Sequence, residues 1–285
     1  MDKKKMYSIW FLVPSMVIFS LLFLIPMITS LFFSMTVWDF SSFKFVGLDN
    51  FKLFFSERHL SIGIKNTMIY ALLTCSLKVV IALLLAVFLT SKIKTKDVLR
   101  AIVFFPNLVS SIAVGATFSA LMHPSRGLFN TVLGTIGIAP IDWLGNIKIA
   151  LYSVIATDVW KGLGIATVIY IAGIQSIDRT YYEAASIDGA TGFKQFLNIT
   201  LPLCRPAMNS VIILAFIGGM RSFDLIWAMT GGGPGFATDV VSSVVYKQYA
   251  SGFYGLSTAG NVIMFILIAI IVFPLQKFLL SKEID

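Results

Sequence analysis

The chain has 285 residues, of which 57% are hydrophobic and only 13% charged, with a formal net charge of +8. Soluble domains carry about 25% charged residues, so an ordinary water-facing surface is excluded, whereas lipid accepts the apolar faces of a multi-span membrane protein. The positive balance then reports lysines and arginines held on one side of a bilayer, and no aromatic-rich basic nucleic-acid module is visible.

Lys3, Lys4 and Lys5 precede a run without charge from Met6 to Trp38. That run is too long for a signal-peptide core, and no small-residue cleavage pattern follows it. It is predicted as the first span, about 6–38, with Pro14 near its start, Pro26 as a kink, and Trp10 and Trp38 as interfacial aromatics. Asp39 to Lys65 is polar and holds the turn-rich FVGLDNF (Phe45 to Phe51). The second span, 66–90, is interrupted only by Lys78. A short basic stretch, Ser91 to Arg100, leads into the third span, 101–121. After a loop rich in Gly and Pro, the fourth span, 149–174, contains Asp158 and Lys161. A polar loop, 179–206, precedes the fifth span, 207–229, which contains Arg221 and Asp224. GGGPG (Gly231 to Gly235) opens an amphipathic, tyrosine-bearing stretch, and the sixth span covers 257–280. Each span is long enough to cross a bilayer at about 1.5 Å per residue. The expected fold is therefore an all-α integral membrane protein, one domain over 1–285 with six transmembrane helices.

Basic density sets the orientation. Lys3, Lys4, Lys5, Lys92, Lys94, Lys96, Arg100, Arg179, Lys194, Arg205, Lys277 and Lys282 fall on one side, in short segments. Lys44, Lys52, Arg58, Lys65, Arg126, Lys148 and Lys247 are spread over longer loops on the other. Both termini and the 179–206 loop are thus expected in the cytoplasm. Cys75 lies in an apolar span and Cys204 in a polar loop, so neither a disulfide nor a metal site is expected.

The 179–206 loop carries more structure than a connector needs. Thr180 to Glu183 fits a capping box, in which the Thr hydroxyl and the Glu carboxylate each satisfy a free amide. Helix should follow through Ala184, Ala185 and Ile187, break at Asp188-Gly189, and resume over Phe193 to Ile199. Pro202 and Pro206 should bar its continuation. Small residues admit a partner backbone, and Phe193, Phe196 and Leu197 give an apolar face. The alternative, an amphipathic helix resting on lipid headgroups, fits poorly with Lys194 as the one base between Arg179 and Arg205.

EAASIDGATGFKQFLNITLP (Glu183 to Pro202) closely resembles the EAA loop of membrane subunits of binding-protein-dependent ABC importers. The matching residues are Glu183, Ala184, Ala185, Asp188, Gly189, Ala190, Phe196, Ile199, Leu201 and Pro202. IAGIQSI (Ile171 to Ile177), SFDLIWAMTGGGPGFAT (Ser222 to Thr238), YKQYASGFYGLSTA (Tyr246 to Ala259), FVGLDNF and Asn66-Thr67 extend the resemblance to the sugar-permease branch. Asp178 stands where that family usually has Pro, and an Asp there can still cap a helix; Met229 stands where Leu is usual. The resemblance implies that the loop is the coupling helix docking into a cytoplasmic ATPase, with Glu183 as charged contact, Ala184 and Ala185 as close-packed surface, and Gly189 as bend. It further implies a second permease, two ATPase subunits carrying ATP and Mg, an external solute-binding protein, and a bacterial-type cytoplasmic membrane. No cofactor, catalytic residue or nucleic-acid partner is expected in this chain.

Charges at membrane depth are costly and face a bundle interior or a watery path. Asp158 with Lys161, and Arg221 with Asp224, are each three apart on one helical face, while Lys78 is alone. Mutual neutralisation within each pair and a transport role are both open. With a sugar as cargo, Asp224 and Trp227 are the foremost path candidates, followed by Arg221, Asp158 and Lys161. Lys78, Lys161 and Arg221 also admit an anionic solute, a glycerol phosphate or an acidic saccharide. GGGPG lacks the Gly-Lys-Ser/Thr ending of a phosphate loop and reads as an outer turn, which the resemblance assigns to the outer gate or the binding-protein contact. A secondary transporter would explain six spans but not a structured docking loop, and a membrane enzyme would need a catalytic cluster that is not visible.

Overall fold

The computed structural model describes residues 9–39, 42–91 and 93–281, which are mainly helical. Lys3, Lys4, Lys5, Lys92, Lys282 and both termini, which carry part of the charge asymmetry, lie outside the described residues. Helix α1 (Trp10–Phe33) is apolar on all sides and contributes no buried residue from its most apolar stretch. A π turn, Ser20–Leu24, immediately precedes Pro26, so the helix widens and continues through the proline. A short antiparallel hairpin follows, β1 (Thr36–Trp38) with β2 (Phe43–Phe45), pairing Thr36 with Phe45. Asn50 of α2 (Asp49–Ser56) pins it by donating to the carbonyls of Ser34 and Thr36 at 2.9 and 2.8 Å.

Helix α3 (Arg58–Thr90) is 33 residues long. At 1.5 Å per residue that is about 50 Å, well beyond the ~30 Å hydrocarbon core. Its first turns lie in the stretch expected to be a polar loop. Leu60, Gly63, Asn66 and Thr67, at helical spacing, are buried there and draw the helix outward.

The third span is not one helix. α4 (Lys96–Leu108) and α5 (Ser111–Leu121) meet at 98°. Pro106 removes one amide from the ladder, and β-branched Val109 adopts extended backbone at ψ 137°. After the short α6 (Leu128–Thr135), α7 (Ala150–Gln175) is unbroken. Two helices, α8 (Arg179–Ile187) and α9 (Gly192–Leu203), form the polar loop. α10 (Arg205–Met220) leaves α9 at a 68° bend. The fifth span also departs from the expected continuous 207–229. It stops at Met220, and α11 (Asp224–Thr230) restarts after Phe223, whose φ of −145° and ψ of −60° are not helical. α12 (Val241–Ala250) and α13 (Tyr254–Ser281) complete the chain.

Among the described residues four helices are long and apolar enough to cross a membrane, and six spans result if each bent pair counts as one. The core lies where α3, α7 and α10 meet. Ala71, Ala82 and Ala86 are fully buried on α3, beside Tyr70 and, on α7, Tyr170. Small side chains let the backbones approach closely, which is how helices gain packing energy where lipid supplies no hydrophobic drive.

Candidate functional site

Two regions hold the residues singled out by the sequence. The first is the α8–α9 loop. Asp178 is the N-cap of α8, and its carboxylate accepts the Thr180 amide hydrogen bond at 2.9 Å. This replaces the expected Thr180–Glu183 capping box, because Asp178 precedes Thr180 and takes the first free amides itself. The bond from the Thr180 backbone holds the Asp178 carboxyl below its ordinary range. Glu183, released from capping, is exposed, as are Ala184 and Asp188.

The break falls at Gly189, whose φ is +73°. The Gly189 amide donates to the Ser186 carbonyl at 3.1 Å and the Ala190 amide to the Ala185 carbonyl at 2.8 Å. These paired bonds close α8 in a Schellman arrangement, which glycine enters without a Cβ penalty. The two helices are then tied side to side. Tyr182 and Thr200 share a hydroxyl hydrogen bond of 2.9 Å, and the Gln195 amide donates to the Ser186 hydroxyl at 3.0 Å. Ala185, Ala190 and Phe196 are half-buried within the loop. Tyr181, Ile187, Phe193 and Leu197 point outward, with Ile187 87% and Phe193 71% exposed. Four exposed apolar side chains thus share one hydrogen-bonded polar loop.

The second helix runs one residue past Pro202 and ends before Pro206, as expected from the two prolines. A π turn, Phe196–Thr200, precedes Pro202, as one precedes Pro26, and α9 runs on to Leu203. The wide turn removes the need for the missing amide. The chain bends at Cys204, which is fully buried rather than loop-exposed, and Pro206 occupies the first turn of α10.

The second region is a cavity of about 360 Å³ between α3, α4, α7 and α10, lined by Lys78, Asn107, Ser111, Asp158 and Lys161 among others. Lys78 is not alone. Its ammonium donates to Asp158 Oδ2 at 2.7 Å, with 11% and 20% of the two side chains exposed. Asp158 is thus neutralised across helices rather than by Lys161. Gly162 makes this possible, because a Cβ there would lie 2.6 Å from Lys78 Cε. A lone lysine at depth demands a buried carboxylate, and that demand is the signal that would have found the pair.

Arg221, Asp224 and Trp227 do not line this cavity. No ion pair joins Arg221 to Asp224 among the described residues, because the backbone between them is not helical. Asp224 opens α11, where a carboxylate suits the free amides. Trp227 stacks on Phe223 at 5.7 Å and meets Tyr246 edge-on at 4.7 Å. Trp160 rests on Phe118 at 5.0 Å.

Beyond α11 the Gly-rich turn is held from two sides. Asn66 donates to the carbonyls of Ala237 and Asp239 at 3.1 and 2.8 Å, and Thr67 accepts the Val241 amide hydrogen bond at 2.9 Å. Asp239, 1% exposed at its side chain, accepts from Lys247 at 2.8 Å and from Ser243 at 2.7 Å. The sequence placed Lys247 only among the basic residues of the longer loops and did not single out Asp239.

Residues 78–283 match the family described as binding-protein-dependent transport system inner membrane component. The trehalose/maltose transport system permease protein MalF of Thermococcus litoralis is 38% identical over 224 residues, covering 79% of this chain and 76% of that protein. The multiple sugar-binding transport system permease protein MsmF of Streptococcus mutans is 31% identical over 278 residues, covering 96% and 95%. Among solved structures, a bacterial ABC transporter involved in the import of the acidic polysaccharide alginate shares the fold, with a TM-score of 0.82, 24% identity, and 95% and 94% of the two chains covered.

Proposed function

We propose a function from this premise: the chain belongs to the family of binding-protein-dependent transport system inner membrane components. It is a permease subunit of an ATP-driven ABC importer of saccharides, a multi-pass membrane protein and not an enzyme. The observation that carries its mechanism is the α8–α9 loop: a capped, hydrogen-bonded double helix that exposes Glu183, Ile187 and Phe193. In our reading the loop faces the cytoplasm of a bacterial-type cell and docks an ATPase. A second permease completes the path, two ATPase subunits bind ATP and Mg, and an external binding protein delivers the saccharide.

The loop suits transmission. α8 joins α7 through Ser176 to Asp178, and α9 joins α10 at Cys204, with no flexible linker at either end. A push on α8 therefore reaches the fourth and fifth spans together. Alternating access follows when ATP-driven closure of the ATPases displaces the loop. Glu183→Lys tests this in the reconstituted complex. We expect ATP hydrolysis to continue without matching uptake while the helix content is retained. Uptake at the wild-type rate would refute the docking role.

A further inference from the structure

We propose that the cavity between α3, α4, α7 and α10 is an anion-selecting subsite of the saccharide path, taking the carboxylate or phosphate of an acidic saccharide. The inference rests on the chain being a saccharide permease. At about 360 Å³ the cavity is of ligand-binding size. Its polar lining is two ammonium groups, Lys78 and Lys161, one carboxylate, Asp158, the Asn107 amide and the Ser111 hydroxyl.

The charges do not balance. Lys78 occupies Asp158 at 2.7 Å, so that carboxylate is engaged by another helix. Lys161, half-buried on α7, makes no ion pair among the described residues. An ammonium held at membrane depth without a counter-charge is unfavourable until water or an anion reaches it. The break in the third span adds to this. Ser111, the first residue of the 11-residue α5, lines the same cavity, which places the positive end of that helix at its edge. Asn107, Ser111 and Asp158 alone would suit a neutral sugar equally well. The surplus ammonium and the helix terminus decide for an anion. Lys78 is a positioning residue: by holding Asp158 it leaves Lys161 for the ligand. Gly162 permits this by leaving the lysine stem room to cross α7.

An anionic lipid headgroup offers the same chemistry, so the test uses zwitterionic phosphatidylcholine vesicles. The complete complex with its binding protein imports from an equimolar mixture of a hexuronate trisaccharide and a neutral trisaccharide, and the ratio inside the vesicles is read. We expect the acidic sugar to enter, and Lys161→Gln to lower the acidic-to-neutral ratio by about tenfold or more, the worth of one hydrogen bond to a charged group. Lys161→Arg should keep the ratio. Lys78→Met, which removes the ammonium that holds Asp158 and leaves that carboxylate to Lys161, should lower it too. A wild-type complex that imports the neutral sugar alone overturns this inference and leaves the saccharide permease standing. So does a ratio that neither Lys161→Gln nor Lys78→Met moves. Import of neither sugar, with ATP hydrolysed, overturns the saccharide reading and this inference with it.

Discussion

Gly189 is a point at which the α8–α9 loop is sensitive to a small change. Its φ is +73°, and nothing lies within 4 Å of where a Cβ would stand. A side chain there therefore meets no steric obstacle beyond its own backbone. Left-handed geometry costs an ordinary residue about 1–2 kcal/mol, and a β-branched one more. Asn enters that region more readily. If the turn yields, it also loses the Gly189–Ser186 and Ala190–Ala185 hydrogen bonds, each worth about 1 kcal/mol net. A penalty of about 2 kcal/mol lowers the population of the closed turn roughly 30-fold. The spans make no contact through this residue and should stay folded. In reconstituted vesicles, saccharide imported per ATP hydrolysed should therefore fall in the order Gly, Asn, Ala, Val at position 189, with circular dichroism unchanged. A Val variant with the wild-type ratio, or an Asn variant as damaged as Val, would refute the argument that left-handed backbone fixes the angle between α8 and α9.

Three further outcomes are expected. Asp178 has its carboxyl lowered from an ordinary 3.8 by the Thr180 bonds, so its cap is complete above about that pH and is lost as pH falls through the lower folded value. The protection factor of the Thr180 amide, its exchange rate set against the intrinsic rate at each pH, should fall at acid pH in the wild type but not in Asp178→Asn, and equal pH responses would exclude the cap. Lys247→Met strands the buried Asp239 carboxylate at a cost of about 3 kcal/mol. The 231–240 loop should then be cut faster by protease, whereas Lys247→Arg should protect it. Trp227→Ala should raise the saccharide concentration for half-maximal uptake without changing ATP consumed per sugar, if Trp227 stacks on cargo. An unchanged value would assign it to packing with Phe223 and Tyr246.

The helix break in the α8–α9 loop was legible because its determinant is local. A glycine turn acts within a few positions of sequence. The same locality explains the misassigned cap. Asp178 and Thr180 are both good caps two residues apart, and the backbone at Asp178, φ −63° and ψ 134°, decides between them. The span breaks were less legible. Pro106 and Pro202 act alike: each lies inside its helix, which ends within two residues, at Leu108 and at Leu203, and only the second is preceded by a π turn. Asp158 looked paired with Lys161 because spacing of three favours contact within one helix. Lys78, eighty residues away, wins because Gly162 leaves it a channel to the carboxylate. Depth in a membrane rewards such cross-helix pairs, and a single chain read in order does not display them.

The length of α3 links the two faces of the protein. Toward one end Asn66 and Thr67 hold the chain at Asp239 and Val241, just after the Gly-rich turn, and at the other end the Leu89 carbonyl accepts a hydrogen bond from Arg100 at 3.1 Å. One unbroken rod thus spans from the turn before α12 to the basic segment before α4. A tie-rod of this kind cannot shorten, so the Gly-rich turn and the basic segment shift as one body. Under the alternating access proposed above, opening on one side and closure on the other would be two views of a single rotation, with no separate messenger needed between them.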